Sequence, residues 1–92
     1  MHTYQAKVSA YLMPDNAASA RALFDAVVAM VRENAVAVQA NTMSGATVHV
    51  TFSAPDDDTA RRILNSARAA APGNVVSSLL REGHLVWHKI SL

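Results

Sequence analysis

No cysteine occurs in this chain of 92 residues. Disulfides and thiolate metal ligands are therefore excluded, and a reducing compartment is compatible with the composition. Glycine appears three times, and Gly45, Gly73 and Gly83 each fall where a turn or a helix end needs one. None is left for a phosphate-cradling loop or a Gly-x-Ser-x-Gly elbow. No apolar run approaches the roughly 20 residues of a membrane-spanning helix, and Met1–Lys7 has no stretch resembling a signal peptide. A cytoplasmic protein is the expectation. Charge is sparse and balanced, with eight basic and seven acidic residues giving +1 and only 16% of the chain charged. Nothing in that balance calls for a polyanion or a membrane surface as partner.

What is present is a 51% hydrophobic chain, much of it alanine. That is enough for one self-sufficient α+β sandwich domain over residues 1–92, with a core of modest size. Its organising stretch is Ala35–Ala54. Ala46, Val48, Val50 and Phe52 alternate with Thr47, His49, Thr51 and Ser53, while Val36, Val38 and Ala40 alternate with Ala37, Gln39 and Asn41. Both read as half-buried strands. Cross-strand neighbours share a face, so the apolar sets must meet. A two-residue Ser44-Gly45 turn would set Val48 against Asn41. A three-residue loop, Met43-Ser44-Gly45, pairs Ala40 with Val48, Val38 with Val50 and Val36 with Phe52, and places Gly45 at the left-handed position. The pattern predicts the second register, which sets His49 beside Gln39.

Thr3–Leu12 reads as a first strand with Tyr4, Ala6, Val8, Ala10 and Leu12 on one face. After Met13-Pro14, Asp15 or Asn16 can cap a helix over Ala17–Asn34, whose inner stripe is Ala20, Leu23, Phe24, Val27, Met30 and Val31. Arg21 and Asp25 stand four apart on its outer side. A second helix opens at Pro55-Asp56-Asp57-Asp58, with the proline in the first turn and the aspartates at the positive end of the dipole. Ala60, Ile63, Leu64, Ala67 and Ala71 form its inner stripe, with Asp57/Arg61 and Asp58/Arg62 as spaced pairs, and Pro72-Gly73-Asn74 stops it. Val75–Leu92 reads as two strands around Glu82-Gly83, although Val76–Arg81 alone also suits a short helix. A two-residue loop there puts Val75, Leu79, Val86 and Ile90 on one face, and Val76, Leu80, Leu85 and Trp87 on the other. The order fits a ferredoxin-like split βαβ plait: an antiparallel sheet, two helices on one face and an extra C-terminal strand, with a hairpin at each edge.

Candidate chemistry is thin. His84 and His88 sit four apart, which on a strand is about 13 Å at roughly 3.3 Å per residue, too far to share one metal ion. The Asp56–Asp58 run has a full account in capping, and three exposed neighbours lack the divergent environments that acid–base work needs. No catalytic residue, cofactor or metal site is expected. Arg61, Arg62 and Arg68, with Asn65, make a stripe of candidate phosphate contacts, but the aspartates just upstream offset its field. The Arg/Lys-Gly-aromatic signature of sheet-borne RNA binders is absent.

One feature points outward: the last hairpin is apolar on both faces. Val76, Leu80, Leu85 and Trp87, rimmed by Tyr11, His88 and Lys89, therefore form the predicted partner-binding surface, with Trp87 as anchor. The leading expectation is a non-catalytic protein-binding module acting through the open sheet face and the C-terminal hairpin. It would dimerise or occlude a larger protein, as small phage-encoded anti-defence inhibitors do. A ligand-sensing homodimer and a nucleic-acid binder using the arginine stripe are the alternatives.

Overall fold

Strict alternation in Thr47–Ala54 sets the architecture, because every second residue of that strand is buried. The computed structural model describes residues 1–10, 17–35, 37–44, 47–71 and 75–92. Along the chain come β1 (His2–Ala10), α1 (Ala17–Asn34), β2 (Ala37–Ser44), β3 (Thr47–Ala54), α2 (Asp57–Ala70), β4 (Val75–Glu82) and β5 (Trp87–Ile90). The sheet order is β2-β3-β1-β4-β5 and every neighbouring pair is antiparallel. This is the split βαβ plait, with β5 added outside β4. The two hairpins form the two edges, and Val76–Arg81 is strand rather than helix.

Tyr4, Ala6 and Val8 of β1, Val48, Val50, Phe52 and Ala54 of β3, Leu79 of β4 and Ile90 of β5 turn inward and are buried. The helices cover that face with Leu23, Val27, Val28 and Val31 from α1 and Ala60, Ile63, Leu64 and Ala67 from α2. Phe24 and Met30 pack at the margin of this core. α1 closes with the Ala35 N–H donating to the Val31 carbonyl at 2.8 Å, while the Asn34 amide donates to the Met30 carbonyl at 2.7 Å. Arg21 pairs with Asp25 at 3.0 Å, as the spacing requires. α2 is capped by Asp56, whose carboxylate accepts from the Thr59 N–H at 2.8 Å. Pro55 thus precedes the cap instead of occupying the first turn. The expectations for Tyr11, Leu12, the cap at Asp15 or Asn16, Val36, Gly45, Ala46 and Pro72–Asn74 lie outside the described residues, as does the side chain of Ala20.

The hairpin register differs from the one the pattern predicts. Ser44 pairs with Thr47, Met43 with Val48 and Asn41 with Val50, whereas Val38 pairs with Phe52 after a register shift between Val38 and Ala40. Gln39 is the extra residue, and its amide donates to the Ser53 hydroxyl at 2.6 Å. Only two residues connect the strands, which mixes faces near the loop, and the bulge then restores the apolar match at Val38 and Phe52. His49 consequently faces Thr42, not Gln39.

The last hairpin is likewise displaced. Leu79 pairs with Ile90 and Glu82 with Trp87, and the Gly83 N–H donates to the Val86 carbonyl at 2.9 Å. The connection is His84-Leu85, two residues beyond the expected Glu82-Gly83. Moving the loop two residues along preserves which strand residues share a face, but leaves Val86 exposed at the turn. A Cβ on Gly83 would lie 2.5 Å from the Val86 carbonyl oxygen and closer still to the His88 ring. Gly83→Ala is therefore expected to force the turn open. Amide exchange across Trp87–Ile90 should accelerate while exchange in β1 and β3 stays as in the parent, and unchanged protection in β5 would contradict this close approach.

Candidate functional site

Two clusters of side chains flank the sheet, one on each side. On the helix side, Tyr4 lies fully buried on β1, and its ring stacks on Phe52 with centroids 5.8 Å apart at 24°. A buried tyrosine needs a partner for its hydroxyl. Tyr4 donates to the Asp57 carboxylate at 2.6 Å, and the Arg81 guanidinium holds the same carboxylate at 2.8 and 3.0 Å. One aspartate in the first turn of α2 therefore fastens the helix to β1 and β4 together. Asp58 pairs with Arg61 at 2.6 Å. The pairs expected four apart give way to Asp57–Arg81 and Asp58–Arg61, because Asp57 faces the sheet.

Burial, then the hydrogen bond to Asp57, pushes the Tyr4 hydroxyl from 10.0 up to about 12. The Tyr4 hydroxyl it accepts and the Arg81 guanidinium hold the Asp57 carboxyl below its ordinary 3.8. Asp56 is lowered too, by the bond from Thr59. The divergence keeps Tyr4 protonated and Asp57 ionised throughout the neutral range, so this pair serves as a fastening and exchanges no proton there. His2, Asp56, Asp57, Asp58, Arg61 and Arg81 line a recess of ≈ 440 Å³ beside it. Among the described residues no three His, Cys, Asp or Glu side chains are placed to hold a metal ion. His84 lies in the turn and His88 on β5.

The arginine stripe is largely engaged within the chain. Arg61 also donates through Nε to the Ser91 carbonyl at 2.7 Å, and Arg62 donates to the Thr59 hydroxyl at 3.2 Å. Arg68 is exposed in the last turn of α2.

On the opposite, helix-free face, alternation places Val76, Ser78, Leu80 and Glu82 of β4 beside Trp87 and Lys89 of β5. Trp87 is 41% exposed and Leu85, in the turn beside it, 87% exposed. Leu80 is half-buried and faces Lys89 directly, with Gln5 on its other side. Leu80, Trp87 and Lys89 therefore share one corner of the open face, and Leu85 stands exposed in the adjoining turn. Val76 does not join them: it lies four positions from Leu80 along the strand, about 13 Å away, with Ser78 between. Val76 instead borders a shallow recess of ≈ 310 Å³ with Lys7, Ser9, Ser77 and Ser78. Tyr11 lies outside the described residues, and His88 faces the helix side opposite Arg81. β1 and β3 bring polar residues to the open face, Gln5, Lys7 and Ser9 beside Thr51, His49 and Thr47, with the Ser9 and Thr47 hydroxyls 2.8 Å apart.

Residue spacing alone does not reveal the Tyr4–Asp57–Arg81 fastening. Its signal was present in one place: a tyrosine on the apolar face of β1, whose oxygen had no partner within its own strand.

The architecture is thus an α+β plait with a fifth strand that displays an oily corner to solvent. No family model matches the chain, and neither the curated proteins nor the solved structures contain a match to it. Among the described residues, no helix is long and apolar enough to cross a membrane.

Proposed function

We propose that this chain is a non-catalytic protein-binding module whose working surface is the corner formed by Leu80, Leu85, Trp87 and Lys89. The observation that carries the reading is Trp87, 41% exposed on the open sheet face with Leu85 beside it at 87%. Large apolar side chains exposed to water mark interfaces, and tryptophan is enriched among the residues that dominate binding at an interface centre. The partner is a protein with an apolar pocket wide enough for an indole and an acidic rim opposite Lys89. Occluding such a pocket is inhibition, which suits a small module of the anti-defence kind encoded by phages.

The test is capture of interacting proteins on the immobilised chain from its native host, repeated with Trp87→Ala. A hot spot of this type is worth about 2 kcal/mol or more, close to thirtyfold in affinity. The captured protein should be lost with Trp87→Ala and kept with Arg68→Ala. Equal retention by both variants, or no specific protein held at all, would remove the proposal.

A further inference from the structure

β2 and β5 close the two edges of the sheet, and they are guarded very differently. β5 has four residues with His88 and Lys89 at its centre, and short charged edges resist pairing with other strands. β2 has eight residues, none charged and none proline. Its sole irregularity is the bulge at Gln39, which leaves Ala40–Ser44 in unbroken register with β3.

The direction of its free backbone groups follows from one hydrogen bond. The Gly83 N–H donates to the Val86 carbonyl, so Gly83/Val86 is a hydrogen-bonded pair, and by alternation so are Arg81/His88 and Leu79/Ile90. Each strand residue that bonds one neighbour turns away from the other. Carried across the sheet, Ser78 and Leu80 bond β1, Ala6 and Val8 bond Val50 and Val48, and Ala40, Thr42 and Ser44 bond β3. Asn41 and Met43 are therefore the regular positions of β2 whose N–H and C=O point away from the sheet.

We infer that two copies of this chain pair through β2, antiparallel, with the two-fold axis passing between their Thr42 residues. In that register Asn41 of each copy faces Met43 of the other, and all four outward backbone pairs of groups are used. Centring on Asn41 instead would set Met43 against the bulged Gln39 and forfeit half of them. No charge meets a like charge, because the segment has none, and the chain carries only +1 overall. Thr42 meets Thr42 as a close, non-hydrogen-bonded pair, a favourable cross-strand match. A two-fold, self-complementary contact is also the commonest form of assembly. The axis stands perpendicular to the sheet. Both helix layers then lie on one side, and the two Trp87 corners sit at opposite ends of one continuous open face. This inference stands independently of the Trp87 reading, since it uses the other edge.

The absence of cysteine makes the test direct. Facing residues of a non-hydrogen-bonded pair have Cα atoms about 4.5 Å apart, within the roughly 4.4–6.8 Å of a disulfide. Under mild oxidation Thr42→Cys should form a covalent dimer about tenfold or more faster than Ala37→Cys, which shares the face but lies beyond the bulge. Thr42→Lys, at an exposed position, should weaken dimerisation in sedimentation by about tenfold at low salt and recover in part at high salt. Trp87→Ala should leave both results unchanged. Equal cross-linking of the two cysteines would overturn the proposal. So would a dimer lost with Trp87→Ala, or a monomer at every concentration whose Asn41 and Met43 amides are protected only by an added extended peptide.

Discussion

Phe52→Ala is expected to destabilise the fold by about 3–5 kcal/mol, the range for removing a buried aromatic ring. Phe52 has no exposed surface, stacks on Tyr4, and is paired with Tyr4 on one side and Val38 on the other. It also sits where the β2 bulge brings the apolar sets back into phase, so its loss leaves a void that three strands share. Domains of this size hold together by about 5–15 kcal/mol, so a large part of that margin disappears. Urea unfolding checks it: the midpoint should fall with the slope unchanged. A shift worth under about 1 kcal/mol would mean the site collapses around the smaller side chain.

Tyr4→Phe is expected to cost about 1.5–3 kcal/mol at neutral pH, the worth of a hydrogen bond to a charged acceptor. The lower end applies, because 30% of the Asp57 side chain and 35% of Arg81 remain in water. The substitution also has a pH signature. In the folded chain the Tyr4 hydroxyl keeps its proton to about 12, against 10.0 when unfolded. Between those values the folded state binds more protons, so stability is complete below pH 10 and declines as pH rises through the window. Asp57 acts in the opposite sense. Its folded value is depressed, so its contribution is present above the ordinary 3.8 and fades as pH falls below it. Urea midpoints measured across the window from 10.0 to about 12 should decline less steeply for Tyr4→Phe than for the parent. Identical slopes would show that neither burial nor the Asp57 carboxylate raises the Tyr4 hydroxyl in solution.

Much of this fold was legible because its periods are clean. The α1 stripe at Leu23, Val27 and Val31 and the alternation of Val48, Val50 and Phe52 leave few alternatives, and α1 falls on the expected Ala17–Asn34. Register was harder. A bulge inserts one residue without disturbing the alternation on either side of it, so letters alone do not reveal that Gln39 is supernumerary. In the last hairpin two loops differing by an even shift give the same faces, and only the close approach of Gly83 to Val86 and His88 selects between them. The apolar residues on both faces of Val75–Leu92 are legible in the sequence, but their grouping in space is not. Sequence grouped Val76 with Trp87 because parity ignores distance along a strand, whereas Ser78 separates them. In the sequence Asp57 is a dipole partner only, because nothing in its neighbourhood points to Tyr4 on β1, fifty-three positions away.

β5 is a four-residue strand on the outside of the sheet, yet it is secured at both ends. The Gly83–Val86 bond closes the turn ahead of it, and Arg61 of α2 grips the Ser91 carbonyl just behind it. Trp87 accordingly rides on a braced shelf instead of a loose flap. Under the binding proposed for its indole, the backbone beneath would already be ordered by folding, so little of that ordering entropy would fall on association.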